Sequence, residues 1–198
     1  MHTCCAFTEL AFLWHQPIEK VLGKISESNI DEAFYNSKHS RIIIVPHHGS
    51  WELMIYWLAQ QGNFYTLYKP ARTAALDDYI YRKRTRNHAR LVPTTTAGVR
   101  ALLKALKKQG TCMILPDQIP PRNTARTQAP FFNHDADSSL LVKNLAQKTD
   151  CELFIAAATR DLENGRYKIN LEIIDRDQIL TQDSASASYL NQAIEKFI

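Results

Sequence analysis

The sequence predicts an α/β fold with a mostly parallel central sheet flanked by helices. Short runs of β-branched and aromatic residues alternate with longer segments of helical periodicity, and this alternation is typical of parallel strands joined by helices. Residues 42–45 are apolar without alternation, as expected of a strand that is buried on both faces. The 198 residues, 45% of them hydrophobic, are enough for one domain with a sizeable core.

Composition excludes several classes of protein. A net charge of +4 is too small to indicate nucleic-acid binding by itself. The cysteines form no CxxC pair, which fits a reducing compartment and buried or incidental thiols; they are Cys4, Cys5, Cys112 and Cys151. No apolar run reaches the roughly 18–20 residues of a membrane span. There is no G-x-S-x-G nucleophile elbow and no glycine-rich phosphate loop.

The elements follow from periodicity and from helix start and stop signals. Helices are predicted at residues 6–22 (two, separated at Pro17), 30–37, from Ser50 to Gly62, at 74–88, from 96 to 109 with Gly110 as C-cap, at 139–148 and at the end of the chain. Strands are predicted at residues 42–45, 64–68, 112–115, 152–158 and 167–174. Residues 119–137 are expected to form a long irregular loop, and loops of this length are usually functional or mobile.

The turn after the first predicted strand is the strongest candidate site. It reads His47-His48-Gly49-Ser50-Trp51-Glu52, and sites in open α/β sheets lie beyond the carboxyl ends of strands. A histidine oriented by a carboxylate is a general base suited to neutral pH, so His47 and Glu52 are the candidate catalytic residues. The backbone N–H of Gly49 is a candidate donor to a developing oxyanion.

The spacing of His47 and Glu52 does not by itself establish a catalytic pair. A chance match is expected in a chain with seven histidines and twenty acidic residues. In the plainer interpretation, Glu52 is an acid at a helix start and His47 is a polar loop residue. A metal site formed by His47, His48 and Glu52 is a third interpretation, disfavoured because no second His/Cys cluster accompanies it.

Two further groups of polar residues lie near predicted strand ends. The first is basic and suits phosphate or carboxylate, although it also fits a solvated helix face; it contains Lys69, Arg72, Arg82, Lys83, Arg84 and Arg86. The second is Asp117-Gln118, which suits a sugar or hydroxyl and equally suits a turn cap. The aromatic face of residues 6–22 is expected to be core, with a membrane surface as the alternative.

Together these segments resemble the bacterial lipid A biosynthesis acyltransferases, the late lauroyl and myristoyl transferases. The resemblance runs from about Phe7 to the C-terminus, in four ordered motifs. These are His47-His48-Gly49-Ser50-Trp51-Glu52 for the family's H-x4-D/E, Tyr68-Lys69-Pro70 for Y-[KR]-P, Leu115-Pro116-Asp117-Gln118 for L-P-D-Q and Pro130-Phe131-Phe132 for P-F-F-G. Arg82 and Arg84 lie where the family has paired arginines.

The resemblance implies a glycerolipid-acyltransferase-like fold and transfer of a fatty acyl chain from acyl carrier protein to a hydroxyl of a lipid A precursor. It places this reaction at the cytoplasmic face of the bacterial inner membrane and requires no cofactor or metal. His47 would be the base and Glu52 would hold its tautomer. The substrate-binding residues would be Gly49, Lys69, Arg82, Arg84, Asp117 and Gln118. The alternatives are transfer to a lysophospholipid or another lipid hydroxyl, and a non-catalytic module that binds lipid or acyl carrier protein.

The chain also departs from the family pattern. Residues 1–198 are expected to form a single acyltransferase domain that lacks the family's N-terminal membrane anchor and extreme C-terminal tail. Pro121, Arg122 and Asn123 follow the Asp117-Gln118 motif where the family favours glycines, and Asn133 replaces the glycine after the two phenylalanines. These changes bear on the loop conformation and on the acceptor.

Overall fold

The computed structural model describes residues 2–27, 30 and 32–198, without the side chains of residues 2–7, 27 and 33. The predictions for Cys4, Cys5 and the side chain of Phe7 therefore concern positions outside the described side chains. The helices are α1 (His2–His15), α2 (Ile18–Leu22), α3 (Glu32–Asn36), α4 (Trp51–Gln60), α5 (Ala74–Thr85), α6 (Thr96–Leu106), α7 (Leu141–Ala146), α8 (Arg176–Ile179) and α9 (Asp183–Phe197). The strands are β1 (Ile25–Glu27), β2 (Ser40–Ile44), β3 (Phe64–Tyr68), β4 (Arg90–Pro93), β5 (Thr111–Ile114), β6 (Arg126–Phe131), β7 (His134–Ser139), β8 (Cys151–Asp161) and β9 (Arg166–Ile173).

Seven of the described strands form one mostly parallel sheet in the order β1-β9-β8-β2-β5-β3-β4. Strands β8, β2, β5, β3 and β4 run parallel, whereas β9 is antiparallel to β8 and β1 is parallel to β9. This confirms the predicted fold class. The parallel strands end together at what we call the carboxyl edge of the sheet, and they begin at the amino edge.

Strand β2 lies at the centre of two hydrophobic layers. Ile43 packs on the side of α1 and α4, and Ile42 and Ile44 pack on the side of α6, α7 and α9. Successive side chains of a strand point to opposite faces, so an uninterrupted apolar run is what a strand between two layers requires. Helix α4, which follows the predicted site, is buried from Glu52 to Ala59, and this anchors its first turn to the core.

Strand β8 extends past the end of its neighbour β2. Their pairing stops at Ile44 and Ile155, so residues 156–161 continue beyond β2 by about 20 Å. Over this extension β8 pairs with the antiparallel strand β9. The extension therefore lies beside the turn that follows β2, at the carboxyl edge.

The predicted irregular loop at 119–137 is partly wrong, because β6 and β7 form an antiparallel hairpin there. The two residues between these strands, Phe132 and Asn133, have φ values of 48° and 61°. Hairpins with a two-residue type I′ turn require positive φ at both central residues and favour Asn and Gly there. A phenylalanine at the first of these positions is not a turn signal, and this is why the sequence pattern missed the hairpin.

Helix boundaries follow the sequence signals with two corrections. The break at Pro17 and the end of α4 before Gly62, whose φ is 82°, are confirmed. Gly110 is not the C-cap of α6; Lys107 occupies that position, and Gln109 takes the left-handed conformation with φ 57°. Ser50 is the N-cap of α4, but its hydroxyl makes no capping bond.

No helix within the described residues combines the length and apolar character needed to cross a membrane.

Candidate active site

His47 and Asp117 lie side by side at the carboxyl edge, one after β2 and the other after β5. The Nδ1 atom of His47 is 2.8 Å from Oδ1 of Asp117, and the backbone N–H of His47 donates to Oδ2 at 2.7 Å. A carboxylate only accepts hydrogen bonds, so Nδ1 carries a hydrogen, and in the neutral imidazole Nε2 keeps a lone pair. The His47 side chain is 30% exposed, and its ring is therefore accessible to a substrate hydroxyl.

Glu52 points away from this pair and into the protein. Its Oε1 accepts hydrogen bonds from the indole N–H of Trp14 at 3.0 Å and from Nε of Arg84 at 2.8 Å, and its Oε2 accepts from Nη2 of Arg84 at 2.9 Å. Only 2% of the Glu52 side chain is exposed. The structure therefore does not join His47 to Glu52, since neighbouring strands bring Asp117 to the imidazole while the first turn of α4 directs Glu52 towards α1 and α5.

The ring of Trp51 lies between the His47–Asp117 pair and the Glu52–Arg84 pair and contacts a residue of each. The Trp51 ring meets the His47 ring edge to face, with centroids 5.4 Å apart. The Arg84 guanidinium lies 5.1 Å from the Trp51 centroid and 5.5 Å from that of Tyr68, within the range of a cation–π contact. Burial and a hydrogen bond to Asp77 raise the pKa of Tyr68 to about 12. The hydroxyl of Tyr68 therefore holds its proton more tightly than that of an exposed tyrosine.

The predicted basic residues separate into different environments. Residues two apart on a helix do not face each other, and accordingly Arg84 binds Glu52 while Arg82 is exposed and pairs with Asp78. Arg86 donates to backbone carbonyls at the end of α1, including that of Gln16 at 2.7 Å. Such contacts stabilise a helix C-terminus. Lys69 is exposed at the end of β3.

Gly49 is required by the conformation of the turn. Its φ is 62°, and a Cβ built at this position would lie 2.2 Å from the carbonyl oxygen of Ala158 in β8. The N–H of the next residue, Ser50, donates to that same oxygen at 2.7 Å. No described residue accepts a hydrogen bond from the Gly49 amide. The turn is thus in close contact with the extension of β8 at Ala158.

Sequence reasoning placed Asp117 at the right edge but did not connect it to His47. The two residues come from the adjacent strands β2 and β5, and this adjacency depends on strand order, which periodicity does not give. Gln118 is exposed next to Asp117. Within the described residues there is no group of three or more His, Cys, Asp or Glu side chains that could hold a metal ion, so His47, His48 and Glu52 do not converge as ligands.

Comparison with known protein families matches residues 2–198 to the bacterial lipid A biosynthesis acyltransferases. The chain belongs to this family. Comparison with curated proteins found no match. Membership of the bacterial lipid A biosynthesis acyltransferase family makes the chain an acyltransferase, and it confirms the resemblance carried by the four motifs. Two of those motifs meet at the carboxyl edge, where His47 contacts Asp117.

Proposed function

We propose that this protein transfers a fatty acyl chain from acyl carrier protein to a hydroxyl of a lipid A precursor, with His47 as general base. The observation that carries the proposal is the pair of hydrogen bonds between His47 and Asp117, in a chain that matches the family throughout. The carboxylate favours the neutral tautomer in which Nε2, the ring nitrogen that does not contact Asp117, is an acceptor. This is the arrangement of a general base that acts on a hydroxyl.

The reaction proceeds without an enzyme nucleophile. Nε2 of His47 takes the proton of the acceptor hydroxyl while its oxygen attacks the thioester carbonyl, and the N–H of Gly49 donates to the oxyanion. The C–S bond then breaks and the leaving sulfur takes the proton from the imidazolium. The products are the ester and the free thiol of the carrier. His47 carries the one proton that moves, from the acceptor hydroxyl to the leaving sulfur, and no redox step occurs.

Glu52 enters this proposal as a positioning residue for the site. Its carboxylate holds the Arg84 guanidinium, which in turn lies against the ring of Trp51 next to His47. A charge pair that is buried and hydrogen-bonded on several sides defines one geometry. Loss of Glu52 would therefore release Arg84 and disturb the position of the Trp51 ring, which His47 contacts.

Two exposed cations and one exposed amide suit a phosphorylated acceptor. Lys69 and Arg82 have exposed side chains on the β3–α5 segment, and Gln118 is exposed after Asp117. Lysine and arginine bind phosphate through charge and, for arginine, through two parallel hydrogen bonds. We assign Lys69 and Arg82 to phosphates of the acceptor or of the carrier's phosphopantetheine, and Gln118 to acceptor hydroxyls. Arg84 contributes through its pair with Glu52.

The carboxyl edge is also the surface that we propose to lie on the cytoplasmic face of the inner membrane. Three large apolar side chains are exposed there on separate connections: Leu76 at the start of α5, Ile119 after β5, and Leu162 after β8, which are 50%, 79% and 73% exposed. They lie at the same edge of the sheet as His47, and the cations Lys69 and Arg72 lie on the β3–α5 connection. Apolar side chains mixed with cations favour an anionic lipid surface, from which a lipid acceptor would reach His47.

The test is transfer from labelled acyl carrier protein to a tetra-acylated lipid A precursor in detergent micelles, with and without chelator. The parent would be compared with His47→Ala and Asp117→Asn, and with Asp137→Asn as a control, since Asp137 is an acid of the β6–β7 hairpin that pairs with Arg126. Transfer by the parent and the control alone, indifferent to chelator, is expected. Parallel reactions with acyl-coenzyme A and with a lysophospholipid acceptor distinguish the donor and acceptor classes. A folded parent that transfers to none of these acceptors would refute the proposal.

A further inference from the structure

The peptide group between Gly49 and Ser50 is held from both sides by the extension of β8. Its N–H, on Ser50, donates to the carbonyl of Ala158 at 2.7 Å. Its carbonyl, on Gly49, accepts from Nη2 of Arg160 at 2.9 Å. Because a peptide group is planar and rigid, these two bonds fix the orientation of the whole unit.

Arg160 is itself held by an acid from the N-terminal helix. Glu9 of α1 accepts from Nε and Nη2 of Arg160 at 2.7 and 2.6 Å, and each side chain is only 10% exposed. The carboxylate also accepts from the hydroxyls of Ser50 at 2.8 Å and Tyr167 at 3.4 Å. Bidentate arginine–carboxylate pairs combine strength with a fixed geometry. Helix α1 is thus connected through Glu9 to both residues of the fixed peptide.

We propose that Arg160 is a positioning residue for acyl transfer, which Glu9 holds in place and which sets the orientation of the Gly49–Ser50 peptide. The inference rests on the proposed function for its kinetic test. Gly49 lies between this peptide and the amide that we assign to the oxyanion, and His47 lies two residues earlier. A displacement of about 1 Å in a reacting group can cost about 100-fold in rate.

The chain offers a matched control for a merely structural arginine. Arg176 also has a partly buried guanidinium that donates to two backbone carbonyls, those of Ala146 at 2.9 Å and Thr149 at 2.8 Å. These acceptors lie before β8 begins, at the amino edge, away from His47. Arg176 therefore supplies the same kind of bonds to the fold without contacting the turn.

The kinetic experiment measures kcat and KM for Arg160→Met, Arg160→Lys, Glu9→Gln and Arg176→Met at a temperature where each is folded. For Arg160→Met we expect kcat to fall about 10- to 100-fold with KM within about two-fold. Arg160→Lys should recover part of the loss, since one ammonium can reach Glu9 or the Gly49 carbonyl but lacks the fork that binds both. Arg176→Met should keep the parent kcat. An equal loss of kcat in Arg160→Met and Arg176→Met would overturn the proposal.

Hydrogen exchange of the backbone amides of residues 47–53 tests the same inference without activity. These amides should exchange faster in Arg160→Met and Glu9→Gln than in the parent, and at the parent rate in Arg176→Met. Glu9→Gln keeps the shape of the side chain, so it serves if Arg160→Met does not fold. Unchanged exchange in Glu9→Gln would overturn the inference. A parent that exchanges as expected but transfers no acyl group would refute the proposed function and leave the role of Arg160 in the turn intact.

Discussion

Asp117 binds both the backbone N–H and the imidazole of His47, although seventy residues separate the two in the chain. One carboxylate thereby fixes where the turn lies and which ring nitrogen carries the hydrogen. Asparagine at this position can accept only through its single oxygen, so Asp117→Asn keeps one of the two bonds at most. We expect transfer to fall about 100-fold or more, within the range of about 10²–10⁴ that general-base catalysis contributes.

The initial rate of acyl transfer, measured beside His47→Ala, checks this prediction. Asp137→Asn makes the same chemical change on the β6–β7 hairpin and should leave the rate near that of the parent. Full activity in Asp117→Asn would show that another group orients His47.

His47 and Glu52 should differ in what their removal does to stability. The Glu52–Arg84 pair is largely buried, and breaking such a pair by removing one partner costs about 3–5 kcal/mol. Glu52→Ala should therefore lower the free energy of unfolding by about 3 kcal/mol, whereas His47→Ala, at a partly exposed position, should change it by less than about 1 kcal/mol. Urea unfolding followed by circular dichroism measures both. Equal stability of the two variants would contradict the buried role of Glu52.

Gly49→Ala should be much more damaging than Gly62→Ala. Both glycines have positive φ, so each alanine pays a similar backbone penalty of about 1–2 kcal/mol. Only at Gly49 would the new Cβ meet another atom, the Ala158 carbonyl oxygen at 2.2 Å, since nothing lies within 4 Å at Gly62. Thermal unfolding of the two variants isolates the steric effect. A similar melting temperature for both would show that the turn can move away from β8.

The exposed apolar residues at the carboxyl edge predict directional membrane binding. Ile119→Ser and Leu162→Ser should each weaken sedimentation with vesicles that contain anionic lipid, because less apolar area is transferred from water. Ile173→Ser is the control, since Ile173 is 75% exposed but lies opposite Phe154, at the end of β9 remote from the β8–β9 turn that carries Leu162. A loss of binding in Ile173→Ser equal to that in Leu162→Ser would place the membrane elsewhere.

Alkaline pH should destabilise the protein through its buried tyrosines. Burial, and then the nearby Glu9 carboxylate, raise the pKa of Tyr167 from 10.0 to about 12. The folded state therefore holds this proton more tightly than the unfolded chain, so the contribution of Tyr167 to stability is complete below about pH 10 and is lost as the pH rises towards 12. Urea midpoints measured between these limits should fall. Tyr167→Phe, which cannot ionise, should give a smaller fall; an identical pH dependence would contradict this account.

The sequence predicted elements whose signals are local and missed contacts that depend on tertiary packing. Strand β2 could be predicted from its uninterrupted apolar run, and the helix break at Pro17 from the missing N–H of proline, because both signals are local. Strand β1 and the β6–β7 hairpin were not predicted. Strand β1 has only three residues, and the hairpin turn begins at Phe132, which is not a typical turn residue.

The site shows the same division between local and long-range information. His47 was selected because it follows a strand, and its role as a base stays a prediction. The partners of His47 and Glu52 were not found, because Asp117, Trp14 and Arg84 reach them across 70, 38 and 32 residues. The direction of an acidic side chain at a helix start depends on the residues that pack around it in three dimensions. Spacing within one segment of the sequence does not identify those residues.

Because β8 is longer than β2, the length of residues 156–161 determines where the contacts to the turn after β2 lie. Ala158 and Arg160 contact the Gly49–Ser50 peptide from this single extension, and each residue of a strand advances about 3.3 Å. Deleting two residues before Ala158 would preserve which side chains face the turn and still withdraw both contacts by about 7 Å. The number of residues in this segment is therefore constrained more tightly than their identity, and homologous enzymes that share the Gly49 contact are expected to tolerate substitutions there before they tolerate a change of length.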